Sequence, residues 1–446
     1  MRNVLRRAFG GFRPSWVLAL ATVAALPLLV GGCATPLGAA RQNFFAGRLE
    51  PAENSLTNKP LAKDQVLFLM ERGTIRQARG SYAESSRDYI AAAAEIDRLQ
   101  TYSVSRGAGS LVINDNVQDF SGWPYERTLL HAFTAHNHFA LADWDNAAVE
   151  ARRIIKSLQP EQKGDYPEDA YSRYVAGFCL EMIDDNSNAA LQYRRANELS
   201  KTATIEPVTG RLTPKVAAAK PTTGSMPPED KSEADLMPPI QPAAQPPGAH
   251  QAELVCFILA GRTPAQADDG YLASPLPLYA EIYSGSNRLG RSYVLADTAE
   301  LARLTEQKEA LRKVAKEGAR IAIKEVVAHQ VEQKNEALGA LTWLVLMLLE
   351  QPDVRRWETL PQWLEVARVN CPTDLKEFDV VLKTFAGATV RTLHVTQPIQ
   401  RRRNIFVAVC RDLAPAPVGA VPRRVSTRPI GFGGSYPPRS YRRAGW

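Results

Sequence analysis

The chain has 446 residues, 45% hydrophobic and 23% charged, with 54 Lys and Arg against 47 Asp and Glu. These are the proportions of a soluble globular protein long enough for more than one core. The basic excess is terminal: without the four arginines before Ser15 and the six after Ala414, residues 33–413 hold 44 bases against 47 acids, which argues against a nucleic-acid-binding body.

Arg2, Arg6, Arg7 and Arg13 precede an apolar run from Ser15 to Val30 that only Pro27 interrupts. The run is too short to cross a hydrocarbon layer of about 30 Å comfortably and reads as a secretory signal. It closes on Leu29-Val30-Gly31-Gly32-Cys33, which resembles the bacterial lipobox and makes Cys33 the lipidated first residue of the mature chain. The other reading is an ordinary signal whose cleavage site adjoins a cysteine. By analogy with lipoprotein sorting, Ala34 directs the protein to the periplasmic face of the outer membrane. Acyl chains there would hold it, since each buried methylene contributes roughly 0.8 kcal/mol. Residues 1–32 are thus expected as a signal peptide and 33–60 as a tether.

Residues 61–200 read as helices in which one spacing recurs. Gly73, Gly80, Tyr82, Tyr89 and Ala92 fall at offsets 0, 7, 9, 16 and 19; Gly177, Ala189, Tyr193 and Ala196 fall at 0, 12, 16 and 19; Ala135, Trp144, Ala147 and Ile154 fall at 0, 9, 12 and 19. This is the tetratricopeptide pattern, with small residues where two helices cross and aromatics beside them. Each hairpin leaves an apolar face that a neighbour must cover. A plain helical bundle is the alternative. An insertion over 101–125 carries Leu111 to Asn116 and Trp123; Asn114, Asp115, Asn116 and Trp123 are candidate contacts, or the first three form only a turn.

Residues 201–250 contain ten prolines and no aromatic residue, the composition of an extended linker. Beyond them, 251–413 alternates strand-like runs (Glu253–Leu259, Leu278–Tyr283, Leu364–Val369, Asp379–Phe385, Thr389–Val395, Ile405–Val409) with a helical pattern through Leu301, Leu304, Leu311, Val314, Ile321, Val327 and Val331. The expected fold class is α+β and multidomain, a tetratricopeptide-like helical hairpin array followed by a smaller α+β domain. Ala337–Leu349 is an apolar run too short to span a bilayer, read as a core helix or as one resting on a membrane or partner. Ala414–Trp446, rich in Arg, Pro and Gly, reads as a disordered tail, or as a contact for anionic groups.

Chemistry is sparse. There is no phosphate loop, no nucleophile elbow and no zinc-protease signature. His131 and His138 share a helix face while His136 points away, so no shared metal is expected. Asp184-Asp185 suits a solvated turn between helices. Cys179, Cys256, Cys371 and Cys410 lie in apolar contexts; a Cys256–Cys410 bridge and buried thiols are both open. No enzyme, cofactor or metal is expected.

Val66 to Gly73, Leu111 to Asn116 followed by Pro124-Tyr125-Glu126, Glu150-Ala151-Arg152-Arg153, and Arg356-Trp357-Glu358-Thr359-Leu360-Pro361 running into Val366-Ala367-Arg368 together resemble a family of bacterial tetratricopeptide-repeat lipoproteins with a C-terminal domain of unknown function. The proline-rich linker and the arginine-rich tail depart from that pattern. The resemblance adds Arg356 and Trp357 to the candidate contacts. It implies a lipid-anchored periplasmic scaffold whose repeat groove takes envelope proteins, accessory to peptidoglycan synthesis. The rival expectation is a lipid- or glycan-binding module using Ala337–Leu349 or the basic tail.

Overall fold

In a computed structural model of the chain, the residues described are 36–57, 60–106, 119–159, 166–215, 251–262, 279–310, 355–384, 386–396, 400–402, 404–413 and 425–427. Eight helices are delimited among them: α1 (Pro36–Phe45), α2 (Leu49–Asn54), α3 (Gln65–Ala78), α4 (Tyr82–Arg106), α5 (Pro124–Ala140), α6 (Trp144–Ser157), α7 (Ala170–Met182) and α8 (Asn186–Leu199). Residues 298–310 are helical as well.

The pairs α3/α4, α5/α6 and α7/α8 are hairpins that turn in the same way. Seven residues after Gly73, Ala135 and Gly177, the backbone enters the left-handed region at Gly80 (φ 82°), Ala142 (φ 54°) and Asp184 (φ 71°). The next amide, of Ser81, Asp143 or Asp185, then donates back to the carbonyl of Arg76, His138 or Leu180. This six-to-one bond satisfies a carbonyl that the helix end would otherwise leave unpaired. Asp143 and Asp185 cap the following helices by accepting from the amides of Asn146 and Asn188.

At the crossings the small residues touch rings. A Cβ on Gly73 would lie 2.5 Å from a ring carbon of Tyr89, and one on Gly177 would lie 2.9 Å from Tyr193. The middle hairpin solves the same problem differently, with Ala135 and, sixteen residues on, Ala151, both fully buried. Two small side chains in one core there stand where the other hairpins have a glycine and an aromatic ring.

Two expected boundaries move. The segment expected as a tether over 33–60 instead carries α1 and α2, whose Ala40, Phe44 and Ala52, with Leu56 just beyond α2, pack on Phe68 and Ile75 of α3. The proline-rich linker begins later than expected. Strands β1 (Ala203–Ile205) and β2 (Leu212–Pro214) form an antiparallel hairpin, because Ala203, Ile205 and Leu212 all point inward. Residues 216–250 lie outside the described residues.

The remaining strands are β3 (Gln251–Ala260), β4 (Tyr279–Ser284), β5 (Asn287–Arg291), β6 (Tyr293–Asp297), β7 (Trp363–Pro372), β8 (Glu377–Lys383), β9 (Thr389–Thr396), β10 (Gln400–Arg402), β11 (Ile405–Arg411) and β12 (Val425–Thr427). They form two five-stranded sheets, ordered β10-β11-β3-β7-β6 and β12-β9-β8-β4-β5. Most neighbours are antiparallel, but β11 runs parallel to β3 and β12 parallel to β9. The α+β class therefore holds. Within the stretch expected as a disordered tail, Val425–Thr427 is a strand; residues 414–424 and 428–446 lie outside the described residues.

Alternation on β3 decides how the layers stack. Leu254, Cys256 and Ile258 face the second sheet, meeting Ile282, Phe378, Val380 and Leu393. Val255, Phe257 and Leu259 face the other way and share a core with α3 to α8. The order is helices, sheet, sheet, and the first sheet is buried on both faces. The helical and α+β segments, expected as separate domains, thus share one core. A strand run apolar on both faces needs cover on both.

Candidate functional site

The first helices of the three hairpins, α3, α5 and α7, present the side on which the expected repeat array would take a partner. Here that side is filled by the chain itself. Phe257 of β3 enters it and meets the rings of His136, Phe139, Tyr171, Tyr174 and Phe178 at centroid distances of 5.2 to 6.3 Å. Rings at these separations, several edge to face, add to what their burial supplies. The groove expected for envelope proteins is thus occupied by the first sheet, because the apolar outer face of that sheet had to be covered.

A second insertion is the segment from Arg355 to Pro361, which turns at residues 358–360. Two carboxylates grip its backbone. Glu126 of α5 accepts from the Trp357 amide at 2.7 Å and, with its other oxygen, from the Trp123 amide at 2.8 Å. Glu71 of α3 accepts from the Glu358 amide at 3.0 Å and from Arg41 of α1 at 2.8 Å. Arg41 also bonds the Glu358 carboxylate and the Arg356 carbonyl. The Trp123 indole N–H donates to the Arg355 carbonyl at 3.1 Å, and Arg355 pairs with Asp64. Between these grips the Trp357 side chain, 1% exposed, sits edge-on to Tyr89 and tilted to Phe133, its indole N–H bonding Thr74 and Thr359. Burial pushes the Glu126 carboxyl up to about 7 against the pull of its two amide donors.

Further polar groups stitch the same interface. Arg368 of β7 makes two bonds to Glu181 of α7 and two to Glu253 of β3, all between 2.8 and 3.1 Å. Tyr193 donates to Glu181, and Tyr174 donates to the carbonyl of Gly210 in the β1–β2 turn. This buried ionic group joins the third hairpin to the sheet, and removing either sign would strand the other. Arg411 of β11 donates to the Thr359 carbonyl and faces the Phe44 ring; burial lowers its pKa to about 10. Burial, reinforced by Arg411, pushes His136 down to about 3, so this imidazole is neutral beside Tyr171.

The expected site residues divide. Gly73, Tyr89, Ala92, Ala135, Ala147, Gly177, Ala189, Tyr193 and Ala196 lie in the hairpin interfaces, all but the two glycines at or below 3% exposure; Gly80 forms a turn, Tyr82 opens α4, and Trp144 stacks on Phe139. Trp123 caps α5, and Arg356 pairs with Glu306 at 2.5 Å. Trp357, a candidate contact, is a core residue and offers nothing to a partner. Cys33, Asn114, Asp115, Asn116 and Ala337–Leu349 lie outside the described residues. His131 bonds Glu150 at 2.8 Å and His138 lies 3.5 Å from Asp143, while His136 turns toward the sheet. No cluster suited to a metal occurs among the described residues. Glu71 and Glu126 went unremarked as grips. The signal was present in their setting, single acids in otherwise apolar helical stretches, within the segments that carry the family resemblance.

No protein family and no curated protein matches the chain. Among solved structures, it is similar to the Rap conjugation gene regulator of the plasmid pLS20 in complex with the Phr* peptide, at 11% identity and a TM-score of 0.24. That likeness covers 44% of this chain and 48% of the regulator, so the chain spans less than half of that protein's length. At this level it assigns neither fold nor function.

Proposed function

We propose that the chain is a lipid-anchored periplasmic scaffold, held at the outer membrane through Cys33, that works by protein contacts rather than catalysis. In this reading the three hairpins are a tetratricopeptide-like array with an accessory role in envelope assembly, in keeping with the resemblance to bacterial tetratricopeptide-repeat lipoproteins with a C-terminal domain of unknown function. The observation that carries it is the set of apolar side chains left exposed on the outward helices once carboxylates on backbone amides and a pocket for the Trp357 indole have seated Arg355–Pro361 against the inner ones. That chemistry is spent within the chain. Partner contacts therefore fall on the outward helices α4, α6 and α8, where Ile90, Val149 and Leu191 are exposed apolar residues.

A photo-crosslinking residue placed at Ile90, Val149 or Leu191 of the full chain in living cells tests this. Recovery of an envelope protein from at least one position is expected, together with loss of membrane association in Cys33→Ala. Recovery of no envelope protein above background from all three positions would refute the scaffold.

A further inference from the structure

β3 and β11 lie side by side in parallel, with Ala408 opposite Cys256 and Cys410 opposite Ile258. The two cysteines are therefore two residues out of step on neighbouring strands, and both belong to the core between the two sheets. Their sulfurs are 3.5 Å apart and fully buried. A disulfide bond is about 2.05 Å long, so closing the gap takes rotation of both side chains together with a small approach of the two strands. Among the described residues no other cysteine competes. Cys371 opposes Ala252, four residues along β3, and Cys179 sits on α7 in the helical layer.

We infer that Cys256 and Cys410 are joined by a disulfide that fastens the closing strand of the first sheet to its centre. β11 reaches β3 from 154 positions away in sequence, so its docking is a long-range event that local structure does not hold in place. Cross-linking so long a loop constrains the unfolded chain strongly. The oxidant is a donor disulfide, such as a periplasmic dithiol oxidase or oxidised glutathione. One thiolate attacks the donor, giving a mixed disulfide and releasing the first donor thiol. The second thiolate then attacks the protein sulfur and expels the second donor thiol. Two electrons pass to the donor, whose two sulfurs leave carrying the two protons. Burial pushes the Cys256 thiol well up, so the thiolate is scarce once the strands are packed, and exchange runs through an opened sheet.

The bridge itself does not rest on the scaffold role, but its formation in the cell rests on export. The test uses the full chain carrying Cys33→Ala, incubated in a glutathione redox buffer with enough urea to open the sheet transiently. The chain is returned to native buffer, alkylated under denaturing conditions and peptide-mapped. A single Cys256–Cys410 bridge is expected, with Cys179 and Cys371 alkylated. Reductant should lower Tm by about 10 °C, judged from the loop length and ordinary entropies of unfolding. Cys410→Ala should abolish that shift and Cys371→Ala should keep it. Four alkylated cysteines in protein with native circular dichroism, or a bridge between another pair, would overturn the inference. A bridge formed in the buffer but missing from protein isolated from cells would support the bridge and count against export.

Discussion

Replacing Trp357 by alanine probes the seating of the Arg355–Pro361 segment from its centre. The indole is buried and lies between Tyr89 and Phe133 at 5.7 and 5.6 Å. Removing such a ring from a core costs about 3 to 5 kcal/mol through lost transfer energy and the cavity left behind. The lost indole bonds add little, because the Thr74 hydroxyl keeps the Met70 carbonyl as a partner. A loss of about 4 kcal/mol is expected, read as a lower urea midpoint at unchanged slope. The segment belongs to the sheet half by sequence and to the helical half by contact. Helical circular dichroism and the amide protection of β7 should therefore be lost in one transition, in parent and variant alike. A cost below about 1 kcal/mol, or helical and sheet signals that separate in the parent, would refute the reasoning.

Gly73→Ala should cost about 1 to 3 kcal/mol, since the added methyl meets the Tyr89 ring at 2.5 Å. Adding Tyr89→Ala should cost less than the sum of the two single changes, as the Ala135–Ala151 pair of the middle hairpin implies, and urea unfolding of the three variants measures the coupling. Ala142→Gly removes the strain of a φ of 54° and should raise Tm by a few degrees, a gain of about 1 kcal/mol by scanning calorimetry. Burial pushes the Glu365 carboxyl up to about 7, with Ser292 donating to one oxygen and, among the described residues, no partner on the other. Because its folded pKa is raised, the folded chain keeps a proton that the unfolded chain releases near 4.5, so stability falls as pH rises from about 4.5 through 7. Glu365→Gln should match the parent near pH 4.5 and exceed it at pH 8 by about 3 kcal/mol in urea midpoints.

Features that depend on near neighbours in sequence were the legible ones. The small residue at each helix crossing, the turn seven residues later and the aromatic sixteen residues later all lie within one hairpin, so spacing alone placed Gly73, Gly80 and Tyr89. Six strands of the α+β half showed their apolar runs, but β5, β6, β10 and β12, each five residues or fewer, were too short to do so. What escaped depends on distant chain. Trp357 sits in Arg355-Arg356-Trp357-Glu358-Thr359, a local setting that reads as surface, yet its indole partner Thr74 lies 283 positions away. Phe257 looked like any core strand residue. Only the fold shows that it fills the side presented by the first helices of the hairpins and leaves no groove for a partner. The helices α1 and α2 are too short to display a period, and their few apolar residues gain meaning only against Phe68 and Ile75.

Amide hydrogen exchange at Trp357 and Glu358 tests most directly whether the chain fills its own groove. Both amides donate to buried carboxylates, so they should exchange as slowly as the amides of β3, limited by opening of the shared core. Exchange at the rate of an unstructured loop would contradict the account.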